Sequence, residues 1–293
     1  MRPNGDTRRI RSGAAPISAV PFLDRERESR RIEDALRKRE SLVISGPAGI
    51  GKTFLFQSVM KRLRGGFSSP FLYLPTFKDL QDLLRKLLQA VYEAKNPSLR
   101  KELHAHGFTG RSFDTWLKSL SSSRLKGTLY RAVESSEYCV VLDHVPPLTR
   151  PIAKVIKELF WMRNTPVYLL MRDDWEYGIV QLIHFFYWSE HQWLSLAPLP
   201  AQFAHELLEH CIASLGLGRF DLEDFREEVL ELSKCVPGAI AQMCALAADP
   251  RYQYGSRIKT KLVHIDYLMS RQHLKPFEQN EGSEFGAYGN GRA

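Results

Sequence analysis

One eight-residue segment constrains the fold of this chain more than any other part of the sequence. It lies between a short apolar run and a stretch with helical periodicity, and it reads Gly46, Pro47, Ala48, Gly49, Ile50, Gly51, Lys52 and Thr53. In a loop with this spacing, the glycines let successive backbone N–H groups point inward at a phosphate. Because strand, loop and helix occur in the required order, we predict a parallel α/β sheet with the loop at the carboxyl end of a strand.

The last two residues of this loop carry its side-chain chemistry. Lys52 places a positive charge near the β- and γ-phosphates of a nucleotide, and the hydroxyl of Thr53 is a ligand for Mg²⁺. A helix is predicted from residue 52 to 63, and its amino end directs partial positive charge at the same place. The loop therefore predicts binding of ATP together with Mg²⁺.

A second apolar run ends in an acidic residue, Asp143. An ATPase with a phosphate loop needs such a carboxylate on a neighbouring strand to hold the Mg²⁺ shell. The next residue is His144, where hydrolytic enzymes with this loop commonly have Glu or Asp to polarise the attacking water. Two interpretations stay open: a neutral imidazole accepts the proton, or turnover is slow and bound ATP marks a state. We expect slow turnover.

A basic residue, Arg172, follows the strand pattern of residues 167–171. It should emerge at the same end of the sheet as the loop and Asp143, where ligands of open parallel sheets bind. We predict a contact with the γ-phosphate. The alternative is a surface arginine paired with Asp173 or Asp174.

Helical and strand patterns alternate through the first two thirds of the chain, which predicts βαβ units on a parallel sheet. The strand candidates are residues 41–45, 71–74, 138–142, 167–171 and 193–196. Only helical patterns follow Pro198 and Pro200, at about 201–215, 222–234, 237–248 and 262–271. We therefore predict a basic flexible arm (1–19), an ATPase core (20–198), a small helical lid domain (199–274) and a flexible tail (275–293).

The segment before the loop resembles a known family. Residues 22–28 are similar to the Phe-x-Gly-Arg-Glu-x-Glu pattern that precedes the phosphate loop in the STAND and AAA+ branches of P-loop ATPases, with Asp24 in place of the glycine. The resemblance implies a strand order of 5-1-4-3-2 and a helical lid. It also implies that this segment lies beside the adenine, with Val20, Pro21 and Phe22 as base-pocket residues and Arg25 among the residues that bind the nucleotide.

A second match lies in the predicted lid. Residues 235–238 resemble the Gly-x-Pro motif of STAND lids, with Cys235 in place of the glycine. The resemblance implies that Pro237 touches the nucleotide. Alternatively, Pro237 is only a proline in the first turn of a helix.

The distribution of arginine favours one branch of this family. Ring-forming AAA+ ATPases commonly carry an arginine finger between the fourth and fifth strands, whereas residues 173–218 contain no Arg or Lys. Gly238 and Ala239 stand where a lid arginine is expected. The chain therefore looks closer to a STAND-type switch, with Arg172 acting in cis.

Composition limits the other classes of function. No apolar run approaches the roughly 20 residues that cross a bilayer, and the N-terminal arginines are not followed by the apolar stretch of a secretory signal, so we expect no membrane role and a cytoplasmic location. The four cysteines lack metal-site spacing and are expected to be buried free thiols.

The net charge of +8 permits an anionic partner. Basic residues without close acidic neighbours occur in the first dozen residues and in 257–261. Three hypotheses follow: a switch that controls an unidentified protein partner or self-assembly, a DNA-associated helper ATPase that uses the basic arm and residues 257–261, and a nucleotide-binding scaffold with little hydrolysis.

Overall fold

A computed structural model describes residues 24–63, 69–105, 113–162, 164–173 and 192–272. Its central sheet contains five parallel strands: β1 (Leu42–Gly46), β2 (Phe71–Leu74), β3 (Cys139–Val145), β4 (Val167–Arg172) and β5 (Trp193–Ser195). The strand order is β2-β3-β4-β1-β5. This is the predicted order read from the opposite edge, so the predicted α/β fold class is confirmed.

Helices connect the strands and cover both faces of the sheet. They are α1 (Glu26–Arg37), α2 (Lys52–Leu63), α3 (Leu80–Glu93), α4 (Pro97–Ala105), α5 (Phe113–Ser119), α6 (Ser122–Glu134) and α7 (Arg150–Phe160). One core contains α1 and α2 with residues such as Ile44 and Leu170, and the other contains α3 to α7 with their neighbours Val43 and Leu169. Alternate residues of each strand therefore serve opposite cores, as the two-residue period of a strand requires.

Helix α3 shows why these segments become helices. Asp79 caps its amino end by accepting a hydrogen bond from the Asp82 N–H at 2.8 Å. The leucines and valine that the sequence places on one face are buried at Leu83, Leu84, Leu87, Leu88 and Val91. Their burial against β2 and α6 fixes the helix on the sheet.

The remainder of the described chain is mainly helical, as predicted. It contains α8 (Ala201–Ser214), α9 (Glu223–Ser233), α10 (Pro237–Ala247) and α11 (Thr260–Gln272). A short antiparallel hairpin that we did not predict, β6 (Gln253–Tyr254) and β7 (Arg257–Ile258), precedes α11. No described helix is both long and apolar enough to cross a membrane.

Contacts divide the chain into two compact units. One contains residues 21–204 together with 234–238, and the other contains 205–233 together with residues from 239 onward. The phosphate loop, Asp143 and the segment 234–238 all belong to the first unit. The four cysteines are unbridged; Cys235 is half-buried and the other three are buried.

Candidate nucleotide site

The glycine-rich loop joins the end of β1 to the start of α2. Gly49 and Gly51 have φ values of +82° and +98°, which side chains other than hydrogen rarely allow. The Ile50 side chain is only 2% exposed and packs in the core that contains α1 and α2. An apolar anchor between two glycines therefore holds the loop in a fixed place while its backbone turns.

The two functional side chains at the end of the loop point to different partners. The Lys52 ammonium donates hydrogen bonds to the carbonyl oxygens of Gly46 at 2.8 Å and Pro47 at 3.0 Å. The Thr53 hydroxyl donates to Oδ2 of Asp143 at 2.8 Å. The fold thus joins the loop to a carboxylate 90 residues away in the sequence.

A β-bulge sets the direction of that carboxylate. In the ladder between β3 and β4, Leu142 pairs with Leu169, but the next pair is Val145 with Met171, so β3 contains one extra residue. Bulges re-aim side chains in this way next to active sites. Here the Asp143 side chain is buried, whereas the side chain that follows it is exposed.

Asp143 accepts three hydrogen bonds and lies close to an imidazole nitrogen. Besides Thr53, the Tyr73 hydroxyl donates to Oδ2 at 2.6 Å, and Oδ1 accepts from the His144 backbone N–H at 2.8 Å and lies 3.2 Å from His144 Nδ1. Burial alone would raise the pKa of this carboxyl, but the hydrogen bonds from His144, Tyr73 and Thr53 hold the pKa below its usual value. The group is therefore an anion at neutral pH.

Tyr73 is a member of the site that the sequence did not reveal. We predicted its segment only as a strand, and the structure places its hydroxyl between Asp143 and the Gln57 amide, which lies 3.4 Å away. Burial, followed by the hydrogen bond to Asp143, raises the pKa of Tyr73 to about 12. The phenol therefore stays protonated and donates. The available sequence signal was a polar-tipped aromatic on the strand next to the one that carries Asp143.

His144 is directed toward the acid that precedes it. Its backbone has a φ of +45°, and its side chain is 69% exposed. The hydrogen bond with Asp143 raises the pKa of His144, with burial acting in the opposite direction. A protonated imidazole cannot accept a proton from water, so this contact opposes a role as general base.

The two predicted arginines of the site lie in different surroundings. Arg172 ends β4 directly opposite Gly46 in the β1–β4 ladder, and is half-buried. Arg25 is 8% exposed and donates to the Ala197 carbonyl at 2.6 Å and to Glu28 at 2.8 Å. Arg25 thus ties the start of α1 to the chain after β5.

Predicted base-pocket residues Val20, Pro21 and Phe22 lie outside the described residues.

The segment 234–238 contacts the phosphate loop through its backbone. Lys234 and Cys235 have φ values of +50° and +55°, and Pro237 is the first residue of α10. The Gly238 N–H donates to the Gly49 carbonyl at 2.8 Å, and a Cβ at Gly238 would lie 2.8 Å from the Gly49 Cα. The sequence predicted that Pro237 touches the nucleotide, and the structure shows that its neighbour Gly238 contacts the phosphate loop.

The oxygen atoms at this place suit Mg²⁺. Thr53 and Asp143 offer a hydroxyl and a carboxylate within 2.8 Å of each other, and protein-bound Mg²⁺ takes few protein oxygens and keeps several waters. Among the described residues, no cluster of three or more His, Cys, Asp or Glu forms a dedicated metal site. The donor set therefore fits a metal that arrives with phosphates.

Three of the solved structures that this chain is similar to come from Pyrococcus abyssi, Pyrobaculum aerophilum and Aeropyrum pernix. The Walker-type ATPase PABY2304 of Pyrococcus abyssi is 15% identical, with a TM-score of 0.54 over 86% of this chain and 73% of that one. Cdc6p of Pyrobaculum aerophilum is 13% identical, with a TM-score of 0.53 over 80% and 64%. The Aeropyrum pernix ORC1 protein, solved in complex with DNA, is 16% identical, with a TM-score of 0.53 over 86% and 66%. These likenesses show the fold.

No curated protein matches the chain. The model of the AAA ATPase domain family matches residues 21–171, which contain the phosphate loop, Tyr73 and Asp143. This match covers more than half of the sequence and agrees with the resemblance in residues 22–28. The chain therefore belongs to the AAA ATPase domain family of P-loop ATPases.

Proposed function

We propose that this protein binds ATP with Mg²⁺ between the phosphate loop and Asp143, hydrolyses it slowly, and acts as a nucleotide-dependent switch for a partner. The observation that carries the proposal is the 2.8 Å contact between the Thr53 hydroxyl and the buried Asp143 carboxylate. It brings the two oxygen ligands of a nucleotide-bound Mg²⁺ to the end of the glycine loop.

Each residue has a defined task in binding. The loop N–H groups from residue 46 to 53 surround the phosphates, and the amino end of α2 adds partial positive charge. Lys52 exchanges the Gly46 and Pro47 carbonyls for phosphate oxygens. Thr53 and Asp143 hold Mg²⁺, which when bound neutralises charge on the phosphates. Arg172, opposite Gly46, contacts the γ-phosphate in cis.

Slow hydrolysis follows from the surroundings of His144. Its Nδ1 lies against Asp143, and that contact favours the charged imidazole. A carboxylate at this position would remain a base at neutral pH, whereas the raised pKa of His144 favours the protonated imidazole, which is not a base. Bound ATP then persists long enough to define a state of the molecule.

The output of the switch begins at Gly238. Its hydrogen bond to Gly49 connects the phosphate loop to the first turn of α10. A phosphate that reorients the loop changes this bond, and the change is passed to the chain beyond residue 238. The partner that responds is a second protein or another copy of this chain.

The proposal is tested by binding and by turnover. Lys52→Ala should weaken ATP binding at least tenfold in calorimetry, because it removes a charge-assisted contact with phosphate. His144→Glu should raise single-turnover phosphate release above the parent rate. His144→Gln is the matched control, since it has the same left-handed backbone requirement but no base.

Unchanged ATP affinity in Lys52→Ala would contradict the proposal that the phosphate loop binds ATP. A His144→Glu protein slower than the parent would make the histidine the working base.

A further inference from the structure

The hairpin formed by β6 and β7 presents basic side chains that the nucleotide site does not use. All charged side chains from residue 250 to 261 are basic: Arg251, Arg257, Lys259 and Lys261. Arg251 is paired with Asp249 at 2.9 Å. The acid beside β7 is Asp221, whose carboxylate accepts from the Glu223 N–H at 3.5 Å. Exposed positive charge therefore collects at Arg257, Lys259 and Lys261.

An exposed aromatic ring lies among these charges. Tyr254 is 75% exposed, and it is the direct cross-strand neighbour of Arg257. Directly opposed residues of an antiparallel pair project from the same face. Lys259, two residues further along, also lies on that face, with its ammonium 5.5 Å from the centre of the Tyr254 ring. The hairpin thus holds an exposed ring between two cations.

The backbone around this ring is fixed rather than loose. Gly255, with a φ of +58°, forms the turn, and the Lys259 N–H donates to the Tyr252 carbonyl at 2.8 Å. Tyr252 is buried and its hydroxyl donates to Asp266 on α11. Lys261 lies in the first turn of α11, whose amino end adds partial positive charge. A ring and three cations are therefore held in a stable arrangement.

We propose that the hairpin Gln253–Ile258 and the start of α11 bind single-stranded nucleic acid. An unpaired base stacks on Tyr254, and the adjoining phosphates contact Arg257, Lys259 and Lys261. Aromatic stacking needs a base with an accessible face, which a single strand offers and a regular duplex does not. The charges supply an affinity that falls as salt rises, because each neutralised phosphate releases counterions.

The test is fluorescence anisotropy with the full chain and a fluorescein-labelled 20-nucleotide oligothymidine at 50 and 150 mM KCl. A matching oligouridine and a 20-base-pair duplex distinguish RNA and double-stranded DNA from the single DNA strand. Tyr254→Ala should weaken binding about tenfold, and Tyr254→Phe should restore it, since the ring alone stacks. Joint replacement of Arg257 and Lys259 by Ala should reduce the log–log salt slope by about 1.4 units.

Two exposed basic residues of the first unit provide the charge control. Lys101→Ala with Arg124→Ala removes the same charge and should leave binding at the parent level. All variants should bind ATP with the parent affinity. Loss of nucleic-acid binding can therefore be distinguished from loss of the nucleotide site.

The proposal is overturned if the parent does not bind at 50 mM KCl, or if the hairpin variants behave like the control. It is equally overturned if only deletion of residues 1–19 abolishes binding, or if the duplex binds as tightly as the single strand.

Discussion

At the scale of the residue, the Asp143 carboxylate divides its two oxygens between different tasks. Oδ2 accepts from Thr53 and from Tyr73, and Oδ1 is held by His144. Hydrogen bonds to a buried anion are worth about 1.5–3 kcal/mol each, more than neutral ones. Tyr73 therefore positions the carboxylate that Thr53 needs.

We predict that Tyr73→Phe lowers the free energy of unfolding by about 1.5–3 kcal/mol at pH 7, because it removes one donor from a charged acceptor. The pKa of folded Asp143 lies below its usual value, so its stabilisation is present above that usual value and is lost as pH falls through the folded pKa. The difference in the free energy of unfolding between variant and parent should consequently become smaller at acidic pH. Urea denaturation between pH 3 and 7 measures it.

Tyr138→Phe is the matched control for this experiment. The Tyr138 hydroxyl accepts a hydrogen bond from the neutral Asn96 amide at 2.9 Å, so its loss should not depend on pH in that range. An equal pH dependence in the two variants would contradict a positioning role for Tyr73.

The positions of two residues could be read from local patterns in the sequence. The loop and the acidic end of a strand predicted that Thr53 and Asp143 lie at one edge of the sheet, and the structure has them in contact. Tyr73 was missed because its contact with Asp143 depends on a one-residue bulge in β3, and Gly238 was missed because its contact with Gly49 joins segments far apart in the sequence. Neither is visible in the spacing of residues along the chain.

At the scale of the element, the backbone of the segment 234–238 lies so close to the backbone of the phosphate loop that no side chain fits between them. A Cβ at Gly238 would lie 2.8 Å from both Cα and O of Gly49. Two backbones can meet at such a distance only where one of them has no side chain. The glycine is therefore required by the contact itself.

Gly238→Ala should destabilise the protein by about 1–3 kcal/mol, since the added methyl group forces backbone apart. It should also weaken ATP binding, because the displaced partner is the phosphate loop. Calorimetry and urea denaturation measure the two effects. Gly218→Ala is the control: no atom lies within 4 Å of its Cβ position, and its stability should change by less than about 0.5 kcal/mol. If Gly238→Ala binds ATP with the parent affinity, the segment 234–238 does not influence the nucleotide site.

Elements with a clear apolar pattern were predictable, and the two-residue strands of the hairpin were not. The strand order came from the family resemblance, and the helices from 201 to 272 agree with the predicted ranges to within two residues. The hairpin at 253–258 was missed because two-residue strands have no measurable alternation. Cys235 departs from the family glycine, yet the backbone retains a positive φ there.

At the scale of the whole molecule, nucleotide binding should stabilise the regions that contact the phosphate loop. A ligand that binds only the folded state stabilises it by about 2.7 kcal/mol at a hundred times its dissociation constant. Protection from hydrogen exchange should therefore rise with ATP and Mg²⁺ at α2, at β3 and at the segment 234–238. Mass spectrometry of exchanged peptides reports each of these regions separately.

Asp143→Ala should lose the part of this protection that depends on Mg²⁺, and Lys52→Ala should lose all of it. If ATP protects α2 but leaves 234–238 unchanged in the parent, the segment does not respond to nucleotide and the proposed output is wrong.

The bulge in β3 has a consequence for how such an enzyme can change over evolutionary time. Residues 143 and 144 lie in the bulge, opposite one residue of β4, and the side chain of residue 144 is exposed, so its chemistry can be exchanged without repacking the core. The positive φ there is tolerated best by short polar residues, histidine among them. Deletion of the same residue would remove the bulge, and Asp143 would lose the backbone geometry that directs its carboxylate. The side chain at residue 144 is thereby open to change by substitution, while the length of the strand is not.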